Sequence, residues 1–307
     1  MPRRYIPAIF PALFIASLLS GTALAQPAPA SGKDVPLTAA EKTVPAAEKP
    51  AAEKPAVAKD AKKEEAVDPL KARDESFARG RRAYDRGDWL KAIFDLRPLA
   101  EYGDERAMML LGNMYASGNG VGKDPKEAFQ LYHRAAAQKN NLDGMIAIAA
   151  MYQTGLGVGV NTRLAIGWFE RAAMLGSQGG AFFYAIHKFQ GSKGTTYDFK
   201  SDHEAAYKWF RIAATRGDDK KLRRAAYQTS ERLAARLTPD RVIEMNKEAA
   251  DWAPSTLADI GPNPEDTLIK ELQAKGQEVT PDKLPEEKPL VTPKPKKKEE
   301  GESLVPP

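Results

Sequence analysis

The feature that most constrains this chain is a segment that returns thirty-seven residues later. Leu111-Gly112-Asn113-Met114-Tyr115-Ala116-Ser117-Gly118-Asn119-Gly120-Val121 comes back as Ile148-Ala149-Ala150-Met151-Tyr152-Gln153-Thr154-Gly155-Leu156-Gly157-Val158. Ala128, Tyr132 and Ala135-Ala136 recur at the same offset as Ala165, Phe169 and Ala172-Ala173. A period of this length marks stacked supersecondary units that bury their apolar faces against one another. In a third copy, Gly180, Ala185 and Gly191 lie 36 residues after Gly144, Ala149 and Gly155, whereas Ala206, Trp209, Phe210 and Ala213-Ala214 lie 41 after their counterparts. Five residues have entered between the halves of that unit, within Ser192–Lys200, where turn residues replace helical periodicity. Each unit therefore reads as helix, loop, helix.

Ala107, Leu111, Met114 and Tyr115 fall on one face of a 3.6-residue helix. Gly112, Ala149 and Ala185 hold a position where two helices must approach closely, and Ala135-Ala136, Ala172-Ala173 and Ala213-Ala214 hold another. Ala107, Leu111, Gly112, Tyr115, Gly144, Tyr152, Ala135, Ala172 and Ala213 are thus the expected packing residues of the repeats. The Gly118–Gly122 stretch ends the first helix, because glycine accepts positive φ after the last turn. Asp124 followed by Pro125 marks an N-cap with proline at the first helical position.

The pattern A-x3-LG-x-MY-x2-G-x-GV, followed by an Asp-led helix that ends in Ala-Ala, resembles the Sel-one-like repeat (SLR) family of tetratricopeptide-type solenoids. The match is most specific at about 104–139 and 140–176; in the third unit His187 and Lys188 replace the Met-Tyr pair. The resemblance implies an all-α, right-handed α-solenoid of helix-loop-helix repeats. Phe77 to Tyr102 is similar to a tetratricopeptide-type helix pair, and helices are expected from Asp218 to Leu237 and from Thr238 to about Trp252. The expected organisation is a signal peptide at 1–25, an Ala/Pro/Lys/Glu-rich disordered linker at 26–73, and a repeat domain of near ten helices at 74–254. Its units are about 74–103, 104–139, 140–176 and 177–217, with capping helices at 218–254. A mostly disordered tail at 255–307 is expected to follow.

Arg3 and Arg4 precede an apolar run from about Ile6 to Leu19, and Ala23-Leu24-Ala25 before Gln26 forms a small-residue cleavage site. The run is too short, and too interrupted by Pro7 and Pro11, for a comfortable membrane span. The expectation is export to a bacterial periplasm or beyond, with no stable span after cleavage. Cysteine is absent, which excludes disulfides and a cysteine-linked lipid. The linker carries a Pro-Ala-Ala-Glu-Lys period that sets reach rather than chemistry. The formal net charge is +5, and loss of Arg3 and Arg4 lowers it by two. Lys294-Pro295-Lys296-Lys297-Lys298 suggests nucleic acid, but the segment 280–307 balances six Lys against six Asp or Glu, so no nucleic-acid partner is expected.

Catalytic constellations do not emerge. Gly118–Lys123 differs in spacing from a phosphate loop, and its counterpart Gly155–Gly159 has no lysine. His133, His187 and His203 sit in different units without the convergent ligands a metal needs. No nucleophile elbow occurs, and neither enzyme activity nor a cofactor is expected.

Recognition remains. In a solenoid, first helices line a concave face, and positions free of packing duty can meet a ligand. By alignment these are Met108, Met109 and Asn113, then Met145, Ile146 and Ala150, then Phe182, Phe183 and Ile186. Met109, Asn113, Met145, Ile146, Phe182 and Ile186 are the candidate partner-binding residues, offering adaptable apolar contact to a peptide or helix. Trp168 and Trp209, at equivalent places in second helices, are expected in the core. Two roles follow. One is a non-enzymatic exported scaffold or adaptor for another protein, as the resembled family implies. The other is an envelope-structural protein that holds peptidoglycan or another anionic polymer.

Overall fold

The computed structural model of the chain describes residues 69–191, 199–279 and Leu284. The expected signal segment, the linker up to residue 68, residues 192–198 of the expected insertion and the end of the tail lie outside the described residues. The helices from Arg73 onward belong to one compact unit. In chain order they are α1 (Pro69–Arg86), α2 (Trp89–Glu101), α3 (Glu105–Ser117), α4 (Pro125–His133), α5 (Leu142–Thr154), α6 (Thr162–Met174), α7 (Gln178–Gln190), α8 (His203–Thr215), α9 (Lys220–Ala234), α10 (Pro239–Asp251), α11 (Leu257–Ile260) and α12 (Pro264–Ala274). No strand occurs among the described residues, and the fold is the expected all-α solenoid.

Local chemistry fixes the helix ends. Asp124 Oδ1 accepts from the amides of Lys126 and Glu127 at 3.0 and 3.1 Å, with Pro125 opening α4. Asn141, Asn161, Ser177 and Asp202 cap α5 to α8 in the same way, each satisfying an amide that a helix start leaves without an intrahelical partner. Gly118 and Gly155 close α3 and α5 in the left-handed region, at φ of 82° and 73°. The loops repeat as faithfully as the helices. The amides of Asp124, Asn161 and Asp202 reach back to the carbonyls of Tyr115, Tyr152 and Lys188 at 2.9, 2.9 and 2.7 Å.

Helices pack in sequence, α3 on α4, α5 on α6, α7 on α8, with each first helix also laid against the preceding unit. The alanine pairs are buried, and Gly112 lies so close under Tyr132 that an added Cβ would stand 2.6 Å from its ring. Ala107, Leu111, Tyr152, Ala135, Ala172 and Ala213 are buried, as are the backbones at Gly112 and Gly144, while Tyr115 is half-buried against the first core cluster. Past His133, α4 widens into a π-helical turn at Arg134–Gln138 that keeps Ala135 and Ala136 inside.

Two boundaries differ from expectation. The first helix starts at Pro69 rather than near 74, and the segment after 254 is not a featureless tail. Residues 255–279 carry α11 and α12, because Thr256 donates to Asp259 in a capping box and Asn263 caps a helix opened by Pro264. Leu268 and Ile269 then give α12 a buried side.

Candidate functional site

The predicted recognition face is not a surface. Met145, Ile146 and Phe182 are buried, together with Met108, Ala150 and Phe183. Met109 and Ile186 are half-buried, Met109 against the first core cluster. The physical reason is plainest in α5, which is covered on all sides: every residue from Gly144 to Tyr152 is buried. Phe182 spends its ring on Phe183 and Phe210, at centroid distances of 5.6 and 5.5 Å.

Asn113 is likewise a core residue, 6% exposed, whose Oδ1 accepts the Tyr132 hydroxyl at 2.7 Å. Asn113→Ala removes this acceptor from the buried Tyr132 hydroxyl and should cost about 1 kcal/mol. Denaturant unfolding of Asn113→Ala, Tyr132→Phe and the double variant checks this: the two losses should overlap by about 1 kcal/mol rather than add.

The surface that does receive a peptide segment lies on the second helices, and the occupant is the chain's own C-terminal stretch. From Trp252 the backbone runs back along the repeats, from the third unit towards the first. Trp252 packs edge-on to Trp209 of α8 at 5.5 Å, and its carbonyl accepts from Arg216, whose guanidinium also lies 5.0 Å from the indole ring centroid. The amide of Ser255 then donates to the carbonyl of Met174 at 2.8 Å. Arg171 Nη1 donates to the carbonyls of Gly261 and Pro262, both at 2.9 Å. Gly167 has no side chain where Pro264 approaches; a Cβ there would meet the proline ring at 3.0 Å.

Glu265 completes the docking. Only 5% exposed, it receives the indole N–H of Trp168 on Oε1 at 2.7 Å, with His133 Nε2 3.6 Å from the same oxygen. Tyr152 lies beside it, and burial together with that carboxylate pushes the phenol well above its usual range. Further along α12, Glu271 pairs with Arg163 Nη2 at 2.5 Å. Trp168 and Trp209 are buried as expected, but both also serve as platforms for this strap. A cleft of about 350 Å3 stays open between α6 and the strap, bordered by Ile166, Glu170, Ile260 and Pro262.

This arrangement can hold a peptide by hydrogen bonds and charge. Among the described residues no cluster of His, Cys, Asp or Glu could hold a metal ion. No described helix is long and apolar enough to cross a membrane.

Residues 105–140, 142–177 and 180–218 match the Sel1 repeat. The chain is similar to the crystal structure of a Sel1 repeat protein from Oxalobacter formigenes, at 21% identity over 71% of this chain and 86% of that one, with a TM-score of 0.47. It is also similar to c5321, a protective antigen present in uropathogenic Escherichia coli strains displaying an SLR fold, at 21% identity and a TM-score of 0.33; that match covers 66% of this chain and 50% of the antigen. No curated protein matches the chain. Three consecutive Sel1 repeats thus form the central helix pairs of the chain, between residues 105 and 218.

Proposed function

We propose that this protein is an exported, non-enzymatic scaffold that binds another protein in the bacterial cell envelope. The observation that carries the reading is the run of three Sel1 repeats, since such repeats generally mediate protein–protein interactions and the proteins built from them are typically non-catalytic. Export rests on the basic, apolar and small-residue order of the first twenty-five residues. The Pro-rich linker then supplies reach between that end and the repeats.

A second reading, attachment to peptidoglycan or another anionic polymer, is favoured by the exposed Lys220, Lys221, Arg223 and Arg224 at the start of α9. Salt separates the two. Raising it from about 0.1 to about 1 M shortens the Debye length from about 10 to about 3 Å, which defeats exposed charge contacts but not apolar ones. The chain from residue 26 onward, used as bait in envelope extract and beside purified sacculi, should retain a discrete protein partner at the higher salt. Sacculus binding lost in salt, with no protein retained, would replace the scaffold by the polymer-binding reading.

A further inference from the structure

We propose that residues 252–279 are an internal ligand, occupying a surface on the second helices that takes a partner segment of the same chemistry: a short helix opened by proline and a carboxylate. The inference rests on the scaffold reading and gives that reading a site.

The receiving surface belongs to the repeats. Trp168 and Trp209 stand at the same repeat position, and each accepts the strap, Trp168 through its indole N–H and Trp209 through its ring. Apart from the Ser255 amide, every strap hydrogen bond described above runs from a solenoid donor to a strap acceptor. Arg163, Arg171, Arg216 and Trp168 donate; the carboxylates of Glu265 and Glu271 and the carbonyls of Trp252, Gly261 and Pro262 accept. A surface so one-sided selects an acidic, acceptor-rich segment.

The strap fills it imperfectly. Glu265 is a buried carboxylate held by the Trp168 indole N–H, with the Tyr152 hydroxyl beside it, and its Oε2 makes no close, well-aligned hydrogen bond. Burying a carboxylate costs desolvation that its hydrogen bonds only partly offset, and an apolar side chain would serve a permanent cap better. Beside Glu265, only Leu268 and Ile269 of α12 are buried, and the cleft against α6 is unfilled. The strap is therefore held well enough to occupy the surface when tethered and loosely enough to be displaced. Its advantage is local concentration, of millimolar order for a short tether.

The test uses the full chain and a fluorescent peptide of residues 252–279. Glu265→Lys with Glu271→Lys opens the strap without touching the receiving surface. The opened chain should bind the peptide at least about tenfold more tightly than the unaltered chain, whose site is occupied. A peptide carrying Glu265→Gln should lose most of that gain. Hydrogen exchange should accelerate in residues 255–279 of the opened chain while α3 to α5 keep their protection. Equal peptide binding by both chains overturns the proposal, and so does loss of protection throughout α3 to α5, which would make the segment a structural cap. Peptide binding by the opened chain supports the inference even where envelope extract yields no partner, a result that counts against the scaffold reading alone.

Discussion

Gly180→Ala should destabilise the fold by about 2 kcal/mol, while Gly179→Ala, one residue earlier, should leave it unchanged or raise it by up to about 1 kcal/mol. Both glycines lie in the first turn of α7, where alanine is the better helix former. Their surroundings oppose each other. A Cβ on Gly180 would stand 2.6 Å from the amide nitrogen of Ala173, 2.7 Å from the Cβ of Ala172 and 2.8 Å from its carbonyl carbon. Those atoms are backbone or fixed to it, so α7 can admit a methyl only by lifting away from α6. That overpacking costs about 3 kcal/mol, from which about 1 kcal/mol of helix propensity is recovered. On Gly179 the Cβ would meet the Cδ1 tip of Ile146 at 2.8 Å, with the Ser177 hydroxyl at 3.9 Å and Ile146 Cγ1 at 4.0 Å, and an isoleucine tip can turn aside. Denaturant midpoints of the two variants decide the matter. Equal destabilisation, or a stabilised Gly180→Ala, would show that the α6–α7 contact is soft and that the repeat does not need its small residues.

The same contact explains why so much of the fold was legible beforehand. Every unit must place a small residue where its first helix crosses the preceding alanine pair, and every unit must end that helix with a glycine at positive φ. These demands recur with the repeat, so Gly144 and Gly180, or Gly118 and Gly155, could be found by offset alone. The N-caps were equally plain, because an Asp or Asn before Pro or a periodic run has few other uses.

What failed was the assignment of a face. Offset says which positions are equivalent, not what covers them: Asn113 and Phe182 are buried against Tyr132 and Phe210 of their own units' second helices, and Met145 and Ile146 are buried too. A signal was present: α5 has no polar side chain between Gly144 and Tyr152, and a helix apolar all round is one with no exposed side. The strap was missed for a different reason. Asn263-Pro264 and the Thr256–Asp259 box announce helices, but they stand in a stretch rich in Pro and charge, and α12 is only eleven residues long. Its anchor on Trp168 joins residues 97 apart in sequence, a pairing that no local period can reveal. Glu265 is a charged residue whose burial follows entirely from tertiary placement.

Acidification should weaken the fold through a single residue of the third repeat. His187 stands where the first two units carry methionine, buried with its ring stacked on Phe169 at 5.5 Å. Burial disfavours the imidazolium and lowers the pKa to about 4. In the unfolded chain the same ring titrates near its ordinary value of about 6.5, so on lowering the pH the unfolded state takes up the proton first. Above about pH 6.5 neither state is protonated and the residue contributes no pH dependence; the loss grows as pH falls from there and levels off below about 4. At pH 5 it amounts to about 2 kcal/mol, and its limit is about 3 kcal/mol. His187→Met keeps a side chain of the repeat's usual kind in the same space and removes the titration. Unfolding of both chains at pH 7 and pH 5 should therefore show the unaltered protein losing about 2 kcal/mol more than the variant. The carboxylates are common to both and cancel in that difference. Equal losses would place the acid sensitivity with the ion pairs, such as Asp104 with Arg106 or Glu204 with Arg241, and would mean that the third repeat tolerates a charged ring. On the expected result, protonation of His187 acts on the packing of the third repeat, the repeat that carries the Trp209 platform on which the strap begins.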